Sequence, residues 1–376
     1  MSPSVVQGLP QVLAKLRSEL DVVGTATYDG ASDAARTLDE WSIAEWIEQN
    51  VEGGRPSPMG LALESTSALN LGFAATKSSA LTLHNMFVAG LDVSEDGDGF
   101  SFGQTDHGQL PELHETVRAA MTQVMHVRGG NDRIVAALAE RLDDGVLRME
   151  SPLTRLSRLA DGRYEVEVRG DSRRLLADRV VPAVPLPCLR EVDLDGAGLS
   201  PRRREAIAEL PMGQGTKLLV QLDSRLSDIQ SWPGFAVTDR PDVAFWDTSA
   251  GQPGASGLLT LFTSGCIFEA SQPHAAATPD VLVQARALLA DVLPGIEPHV
   301  TENAWLDSWP EDPWSQGSYA GFAPGQFTRY FGFLHLPEQG VHFAGEHTSM
   351  GSQGYLDGAV ESGDRAAEEV LLSLLS

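Results

Sequence analysis

The sequence predicts a mixed α/β protein (α+β mixed) whose helices and strands do not sort into two contiguous halves. Three observations predict this class. Apolar residues recur at helical spacing in the first third, strand-like segments dominate after residue 146, and the chain closes with an apolar run, a Gly-rich turn and a long helical pattern. With 376 residues, 42% of them apolar, the chain is long enough for two domains with substantial cores.

The first third is predicted to be helical. Ser42-Ile43-Ala44-Glu45 is a capping-box pattern that opens a helix. The stretch 59–91 is mostly apolar and predicts packed helices, and the acidic, Gly-rich segment 94–99 predicts a loop. The earliest helix, with Pro10 in its first turn, is predicted from apolar residues at helical spacing: Leu9, Val12, Leu13, Leu16 and Leu20.

From Arg128 onward the pattern changes to alternating strands and helices. The segment RGGND (128–132) precedes the helical pattern IVAALAERL. Two further helices are predicted at 201–209 and near 280–292. Strands are predicted from β-branched or alternating segments at 146–149, 164–168, 174–184, 216–222, 233–238, 257–263 and 298–306.

Composition narrows the class of protein. With 27 basic and 52 acidic residues the net charge is −25, which argues against nucleic-acid binding and adsorption to anionic membranes. Two cysteines cannot build a disulfide framework or a cysteine-rich metal site, so a reducing, cytoplasmic location is expected. The sequence shows no run of 18 apolar residues, and no membrane-spanning helix is predicted.

The segment 343–370 carries the strongest chemical signal. An apolar strand leads into Gly345-Glu346, and a loop with further glycines leads into a helix, whose N-terminal N–H groups suit an electronegative ligand. Gly358 and Gly363 lie inside the helix, where glycine is unfavourable, so they are expected to allow close packing against a ligand or strand. An ordinary strand–turn–helix connection remains the alternative.

GEHTS followed by GYLDGAVESGDRAA closely resembles the C-terminal flavin-binding signature of FAD-dependent amine oxidases, the monoamine and polyamine oxidases. Further blocks follow that family's order over roughly residues 128–370. They are RGGNDRIVAALAERL, MESPL, DRVVPAVP, MGQGTK, WPEDPWSQGSY and PG at 324–325. The resemblance implies an FAD-binding amine-oxidase-like fold with an interleaved substrate-binding domain of helices and mixed sheet.

The resemblance also implies where FAD would bind. The Gly345-Glu346 turn would meet the diphosphate or ribityl chain, and Gly354-Tyr355-Leu356 would face the flavin ring at the helix start. Leu153 matches a position whose backbone contacts adenine, and Trp309 matches a tryptophan near the flavin. Ser318 stands where covalently flavinylated monoamine oxidases have a cysteine, so the resemblance implies non-covalent FAD.

Three residues are implied to carry catalysis. Tyr319 and Tyr355 match the paired aromatics that flank the substrate amine, and two facing rings exclude water and orient a neutral amine. Lys217 matches a lysine that holds a water beside flavin N5. The alternatives are that both tyrosines are core residues and that Lys217 is an edge lysine with its ammonium in solvent.

One part of such an enzyme is absent from the sequence. A strand, a G-x-G-x-x-G turn and a helix, followed by an acidic residue for the ribose, normally open an FAD enzyme of this type. Three explanations are open: a separate chain supplies this unit, the protein is a pseudoenzyme, or the sequence is a truncated one. We favour a second, shorter chain carrying the G-x-G-x-x-G unit as partner, because Lys217, Tyr319 and Tyr355 are all present.

The expected organisation interleaves two domains. Residues 1–125 and 214–307 are expected to form the helical and sheet parts of the substrate domain, and 126–213 and 308–376 two segments of the FAD-binding domain. The resemblance implies oxidation of a C–N bond by hydride transfer to FAD N5, giving an imine that hydrolyses, with dioxygen as oxidant. The alternatives are an L-amino acid oxidase, a carbon–carbon desaturase or a non-catalytic partner subunit.

Overall fold

The computed structural model describes residues 3–84, 127–231, 234–238, 243–265, 267–268 and 272–375. The predicted loop at 94–99, the end of the predicted helical stretch and the expected domain boundary after residue 125 lie outside these residues. Within them, helices and strands are mixed along the chain as predicted, so the structure confirms the mixed class.

Serine caps open the three helices that follow the first one, namely α2 (Asp33–Asp39), α3 (Ile43–Asn50) and α4 (Pro58–Leu71). In α3 the predicted capping box is confirmed, because Ser42 Oγ accepts the N–H of Glu45 while the Glu45 carboxylate accepts the N–H of Ser42. Helix α4 ends at Gly72, which has the left-handed conformation common at helix C-termini (φ +66°). The first helix, α1 (Pro3–Val23), precedes these three.

The prediction that Pro10 occupies a first turn is wrong. Helix α1 begins at Pro3, so Pro10 lies inside it and removes one backbone N–H from the helical ladder. Pro10 is exposed, whereas Val12 and Leu16 on the apolar face are 2% and 1% exposed. The burial of that face stabilises the helix through the proline.

Seven shorter or later helices complete the described helical set. They are α5 (Asp132–Ala139), α6 (Leu186–Arg190), α7 (Pro201–Glu209), α8 (Leu226–Ile229), α9 (Pro279–Val292), α10 (Phe327–Tyr330) and α11 (Leu356–Leu375). The helices predicted at 201–209 and near 280–292 are therefore confirmed. Helix α11 begins one residue after Tyr355, at the end of the Gly-rich loop, close to the predicted start.

Two antiparallel sheets account for the named strands. The first has the order β1-β2-β3, formed by β1 (Leu153–Arg158), β2 (Tyr164–Val168) and β3 (Leu175–Ala177). The second has the order β5-β6-β7-β4-β9-β8. Its strands are β4 (Thr216–Leu222), β5 (Phe235–Val237), β6 (Val243–Asp247), β7 (Gly257–Thr263), β8 (His274–Ala276) and β9 (Val300–Ser308).

The six-stranded sheet packs on helix α9. Alternate residues of the central strand β4 are completely buried, namely Leu218, Val220 and Leu222. They share one apolar cluster with Ala285 and Leu289 of α9. Because side chains alternate along a strand, Lys217 lies on the opposite face of the sheet. A second cluster joins helices α1 to α4 with the segment around Phe331 and with Phe343.

A short parallel pairing ties the C-terminal segment to the middle of the chain. Val180 bridges Val341, and the N–H of His342 donates to the Val180 carbonyl at 2.9 Å. The apolar segment 341–346, predicted as a strand, forms this bridge and an antiparallel one between Val341 and Glu338. The segment 146–149, also predicted as a strand, forms none in the described residues. The prediction for 146–149 is wrong, because a strand needs a neighbour along its length and the described residues supply none there. The segment 341–346 is paired over a short length only, through the N–H groups of His342 and Ala344, which donate to the carbonyls of Val180 and Pro182.

Candidate functional site

Tyr319 is held against the end of helix α4. Its hydroxyl donates to the backbone carbonyl of Leu69 at 2.8 Å. Gly72 lies beside the ring, where an added Cβ would come within 3.1 Å of both Tyr319 and Ser318. The glycine that ends α4 therefore also allows the close approach of the tyrosine. With its hydroxyl already bonded, Tyr319 offers its ring rather than its oxygen to a ligand.

Ser318 packs into a group of glycines beside this tyrosine. Its Oγ accepts the N–H of Gly215 at 3.1 Å, and a Cβ added at Gly213 would lie 2.6 Å from the same oxygen. The backbone N–H of Ser318 in turn donates to the Gly213 carbonyl at 2.8 Å. The MGQGTK segment is thus fixed to the segment that carries Tyr319.

Glu346 connects Tyr319 and Tyr355, the two tyrosines predicted to flank the amine, which we call the aromatic cage. One carboxylate oxygen accepts the N–H of Ala320 at 2.9 Å and the other accepts the N–H of Gly354 at 2.6 Å. Each of these groups is adjacent in the chain to one tyrosine, Tyr319 or Tyr355. Burial raises the pKa of Glu346 above its usual value, and the two backbone hydrogen bonds oppose that rise. One buried carboxylate therefore fixes both tyrosine-bearing segments.

The structure brings Tyr319 and Tyr355 into one site. A Cβ added at Gly354, the residue before Tyr355, would lie 3.9 Å from the Tyr319 side chain, which is ordinary contact. The pKa of the Tyr319 hydroxyl is raised, first by burial and then by the nearby Tyr355 and Glu346 groups. Both tyrosines are half-buried, as expected for residues that line a site.

Lys217 lies on the face of strand β4 opposite the core and pairs with Phe262 on one side and Asp307 on the other. Its side chain is accessible, yet it is densely surrounded by protein, as for a residue that lines a cleft. Desolvation lowers the pKa of the ammonium, and the charge of Asp307 opposes that shift. Lys217 therefore lies neither in the hydrophobic core nor on an edge strand that is fully open to solvent.

Trp309 follows strand β9 and lies on the same part of the sheet. It is 40% exposed, and its ring meets His274 edge-on with centroids 4.9 Å apart. His274 Nδ1 lies 3.1 Å from Asp307, which also accepts the indole N–H of Trp305 at 2.8 Å. Asp307 is therefore the strand partner of Lys217 and also contacts His274, whose ring packs against Trp309.

The turn at Gly345 is braced against helix α11. Gly345 has φ +115°, and its N–H donates to Ser362 Oγ at 2.9 Å. A Cβ at this position would lie 2.5 Å from the His347 ring, so only glycine fits. The carboxylate of Glu346 is committed to the two backbone groups described above, which leaves the backbone of the turn as the part that can meet a cofactor.

The residues at the start of α11 fit a flavin. Gln353 Nε2 is a buried donor without a hydrogen-bond partner in the described part of the chain, and it precedes Gly354 directly. Leu356 is 58% exposed at the N-terminus of a 20-residue helix, whose N–H groups suit an electronegative ligand. Leu153 opens strand β1 in the separate three-stranded sheet, and its half-buried position leaves its predicted contact with adenine a prediction.

Sequence reasoning missed two residues beside this site, Asp307 and His274, and the role of a third residue that it had named, Glu346. The bridging role of Glu346 depends on a contact with Ala320, 26 residues away, which no local pattern reveals. Asp307 and His274 come together only when β8 and β9 pair.

In the described residues no group of three or more histidine, cysteine or acidic side chains could hold a metal ion, and no helix there is long and apolar enough to cross a membrane.

Comparison of the chain with known proteins identifies its family. The model of the family described as flavin containing amine oxidoreductase matches residues 3–371. The chain is 29% identical over 218 residues to pseudooxynicotine dehydrogenase from a Pseudomonas species, covering 54% of this chain and 40% of that one. It is 28% identical over 265 residues to L-amino-acid oxidase of Siganus canaliculatus, covering 66% of this chain and 47% of that one.

The fold agrees with the same family. A solved structure of a putrescine oxidase mutant matches with a TM-score of 0.76 at 20% identity, covering 99% of this chain and 76% of that one. The chain spans less than half the length of the two relatives above. FAD is the cofactor that this family implies, and the residues at the start of α11 fit it. The chain belongs to the family of flavin-containing amine oxidoreductases.

Proposed function

We propose that this chain is the substrate-binding and flavin-ring-binding subunit of an enzyme that oxidises a C–N bond of an amine. One observation carries the proposal: Glu346 joins the segments of Tyr319 and Tyr355 through backbone hydrogen bonds of 2.9 and 2.6 Å. Two aromatic rings held in this way can orient a neutral amine and exclude water from it.

The residues of this chain have distinct roles in the proposed reaction. FAD supplies the hydride acceptor when it is bound. Tyr319 and Tyr355 hold the amine, and Lys217 holds a water at its ammonium on the open side of the sheet. Loss of a hydride and a proton converts the amine to an imine. Water then hydrolyses the imine to a carbonyl compound and ammonia or a smaller amine, and dioxygen is the terminal oxidant, reduced to hydrogen peroxide.

Non-covalent binding of FAD is supported by the position of Ser318. Its Oγ accepts a backbone N–H and faces the glycines of the 213–215 segment. Serine cannot form the thioether that a cysteine would provide at this position. The proposal therefore expects FAD to be released when the protein is denatured.

The test uses the chain in the assembly in which it holds FAD. Amines, L-amino acids and a saturated carbonyl compound are added separately without oxygen, and absorbance in the flavin band is followed. Bleaching by one or more amines, with formation of the corresponding carbonyl compound, supports the proposal. Bleaching by L-amino acids alone, or by the carbonyl compound alone, contradicts it in favour of an L-amino acid oxidase or a desaturase. A flavin that none of them bleaches indicates a non-catalytic subunit.

A further inference from the structure

Four residues form a row across the six-stranded sheet, on the face opposite helix α9. His274 of β8 lies opposite Asp307 of β9. Asp307 in turn lies opposite Lys217 of β4, which lies opposite Phe262 of β7. Residues directly opposite each other in antiparallel strands point to the same face, with Cβ atoms about 4.5–5.5 Å apart. The row therefore places an imidazole, a carboxylate and an ammonium next to one another.

The row reaches the aromatic cage at its Phe262 end. A Cβ added at Gly215 would lie 3.2 Å from the ring of Phe262 and 2.9 Å from Ser318 Oγ. Ser318 directly precedes Tyr319, whose hydroxyl is already bonded to a backbone carbonyl. The row thus begins beside the cage and runs away from it past Lys217.

Two neighbours fix the carboxylate of Asp307. Its Oδ1 accepts the indole N–H of Trp305 at 2.8 Å. The same oxygen lies 3.1 Å from Nδ1 of His274, which must be the donor because a carboxylate only accepts. The His274 ring packs edge-on against Trp309, and this contact restricts its rotation. Among the described residues no donor meets Oδ2 of Asp307, so this oxygen is available to the lysine beside it.

Asp307 is the charged group that faces Lys217 among the described residues. Strand β4 has no other titratable side chain, and β7 has none. Glu302, the other acidic residue of β9, pairs with Arg286 of α9 instead, at 2.8 Å. The carboxylate of Glu346 in the cage is occupied by two backbone N–H groups. Desolvation lowers the pKa of Lys217, and the charge of Asp307 opposes this shift.

We propose that Asp307 is a positioning residue that holds the Lys217 ammonium in place and in its charged form, and that Trp305 and His274 orient its carboxylate. This inference rests on the proposed function, in which Lys217 holds a water. In the described part of the chain Lys217 and Asp307 make no direct ion pair, and a polar gap of this kind can be bridged by water. Asp307 therefore acts through Lys217 and its water rather than on the substrate.

A second histidine–aspartate pair near the other end of β4 and β9 provides a matched control. His299 Nδ1 lies 2.9 Å from Asp223 Oδ1, and the side chains of His299 and His274 are both 35% exposed. Asp223 follows the end of β4. At about 3.3 Å per residue it lies roughly 20 Å from Lys217 along the strand, too far to hold its ammonium.

The experiment observes Lys217 directly, because the chain has only two other lysines, Lys15 and Lys77. The full-length chain is produced with lysine labelled with 13C at Cε, in the assembly in which it holds FAD. The Lys217 resonance is assigned by its absence in Lys217→Arg, and NMR gives the midpoint of its titration with pH. The flavin is also reduced with dithionite, and its reoxidation by oxygen is followed by stopped flow. Neither measurement needs turnover of an amine.

Asp307→Asn should move the titration midpoint of Lys217 to lower pH, because the variant lacks the charge that opposes desolvation. Reoxidation at pH 9 should slow roughly fivefold, since a smaller fraction of Lys217 keeps its charge. Asp307→Glu keeps the charge and should restore most of both properties. His274→Phe keeps a ring beside Trp309 but loses the N–H, and it should move the midpoint in the same direction by a smaller amount.

The control variants Asp223→Asn and His299→Phe should match the wild type in both measurements. Three results would overturn the inference: an unchanged Lys217 midpoint in Asp307→Asn, an equal move in Asp223→Asn, or no restoration in Asp307→Glu. An unchanged midpoint in His274→Phe would overturn the orienting role of His274. If the midpoints move as expected but no amine bleaches the flavin, the proposed function fails while the role of Asp307 stands.

Discussion

The carboxylate of Glu346 accepts a hydrogen bond of 2.6 Å from the backbone N–H of Gly354. Its other oxygen accepts the N–H of Ala320, so the pair of bonds sets how far apart the two tyrosine-bearing segments lie. Burial raises the pKa of this carboxyl, which is the expected response of an acid that is kept away from water. Both carboxylate oxygens are occupied by backbone N–H groups, so Glu346 is expected to position the two tyrosine-bearing segments rather than to contact a substrate.

Glu346→Gln should loosen the cage. The amide keeps one acceptor oxygen but turns its NH₂ group toward the second backbone N–H, which leaves that donor unpaired at a loss of about 1–3 kcal/mol. We expect amine-driven flavin reduction to slow at least tenfold while the flavin content of the assembly stays within twofold. Stopped-flow absorbance measures both. Exposed Glu311→Gln is the control, and an equal effect in both variants would refute the positioning role.

Tyr355→Ala should slow flavin reduction by about 5–150-fold, because each ring is expected to contribute about 1–3 kcal/mol of orientation. Tyr319→Ala should do the same. Tyr319→Phe keeps the ring and loses only the bond from its hydroxyl to Leu69, which is worth about 1 kcal/mol of stability. The phenylalanine variant should therefore retain most of its reduction rate. Unchanged rates in both alanine variants would exclude the cage.

Local sequence patterns predicted many of the described helices and strands. The box at Ser42 and the strands at 216–222 and 257–263 were predictable because capping and alternation are local properties. The segment 146–149 was not, since strand formation needs a neighbour, and the described residues provide none there. The start of α1 was also missed, because burial of its apolar face outweighs the proline.

The candidate site was predictable only in part. The residues Tyr319, Tyr355 and Glu346 were singled out by resemblance, and the structure joins all three. How those residues are positioned relative to one another depends on contacts between distant segments. One example is the hydrogen bond from Tyr319 to Leu69, 250 residues away. The roles of Lys217, Trp309 and Leu153 toward the cofactor stay predictions.

Lys217→Met should slow flavin reoxidation by oxygen, or imine release, more than it weakens FAD binding, because the variant loses the ammonium and its water. The pKa of Lys217 is lowered by desolvation, so its charge should be lost at a pH below the ordinary lysine range. We therefore expect reoxidation to slow as the pH rises from 7 to 10. Lys217→Arg keeps its charge and should lack this dependence.

Exposed Lys77→Met is the matched control for the Lys217 variants and should behave as the wild type does. Stopped-flow mixing of reduced enzyme with oxygen gives the rates. A pH dependence that persists unchanged in Lys217→Met would show that another group titrates, and that outcome would contradict the role of the lysine.

His347 should make the stability of the fold sensitive to acid. Burial, with a further contribution from the positive charge of Arg203, lowers its pKa to about 4 from an ordinary 6.5. The folded state therefore binds fewer protons than the unfolded state between these values, and the free energy of unfolding falls as the pH falls. The contribution of the neutral ring is complete above pH 6.5 and lost as the pH falls to about 4. Its full size is roughly 3 kcal/mol, because a tenfold change in proton affinity corresponds to about 1.4 kcal/mol.

Urea unfolding of the wild type and His347→Asn at pH 7, 5.5 and 4 should show a difference in the free energy of unfolding that shrinks toward low pH. A difference that is constant over this range would show that His347 does not titrate on unfolding.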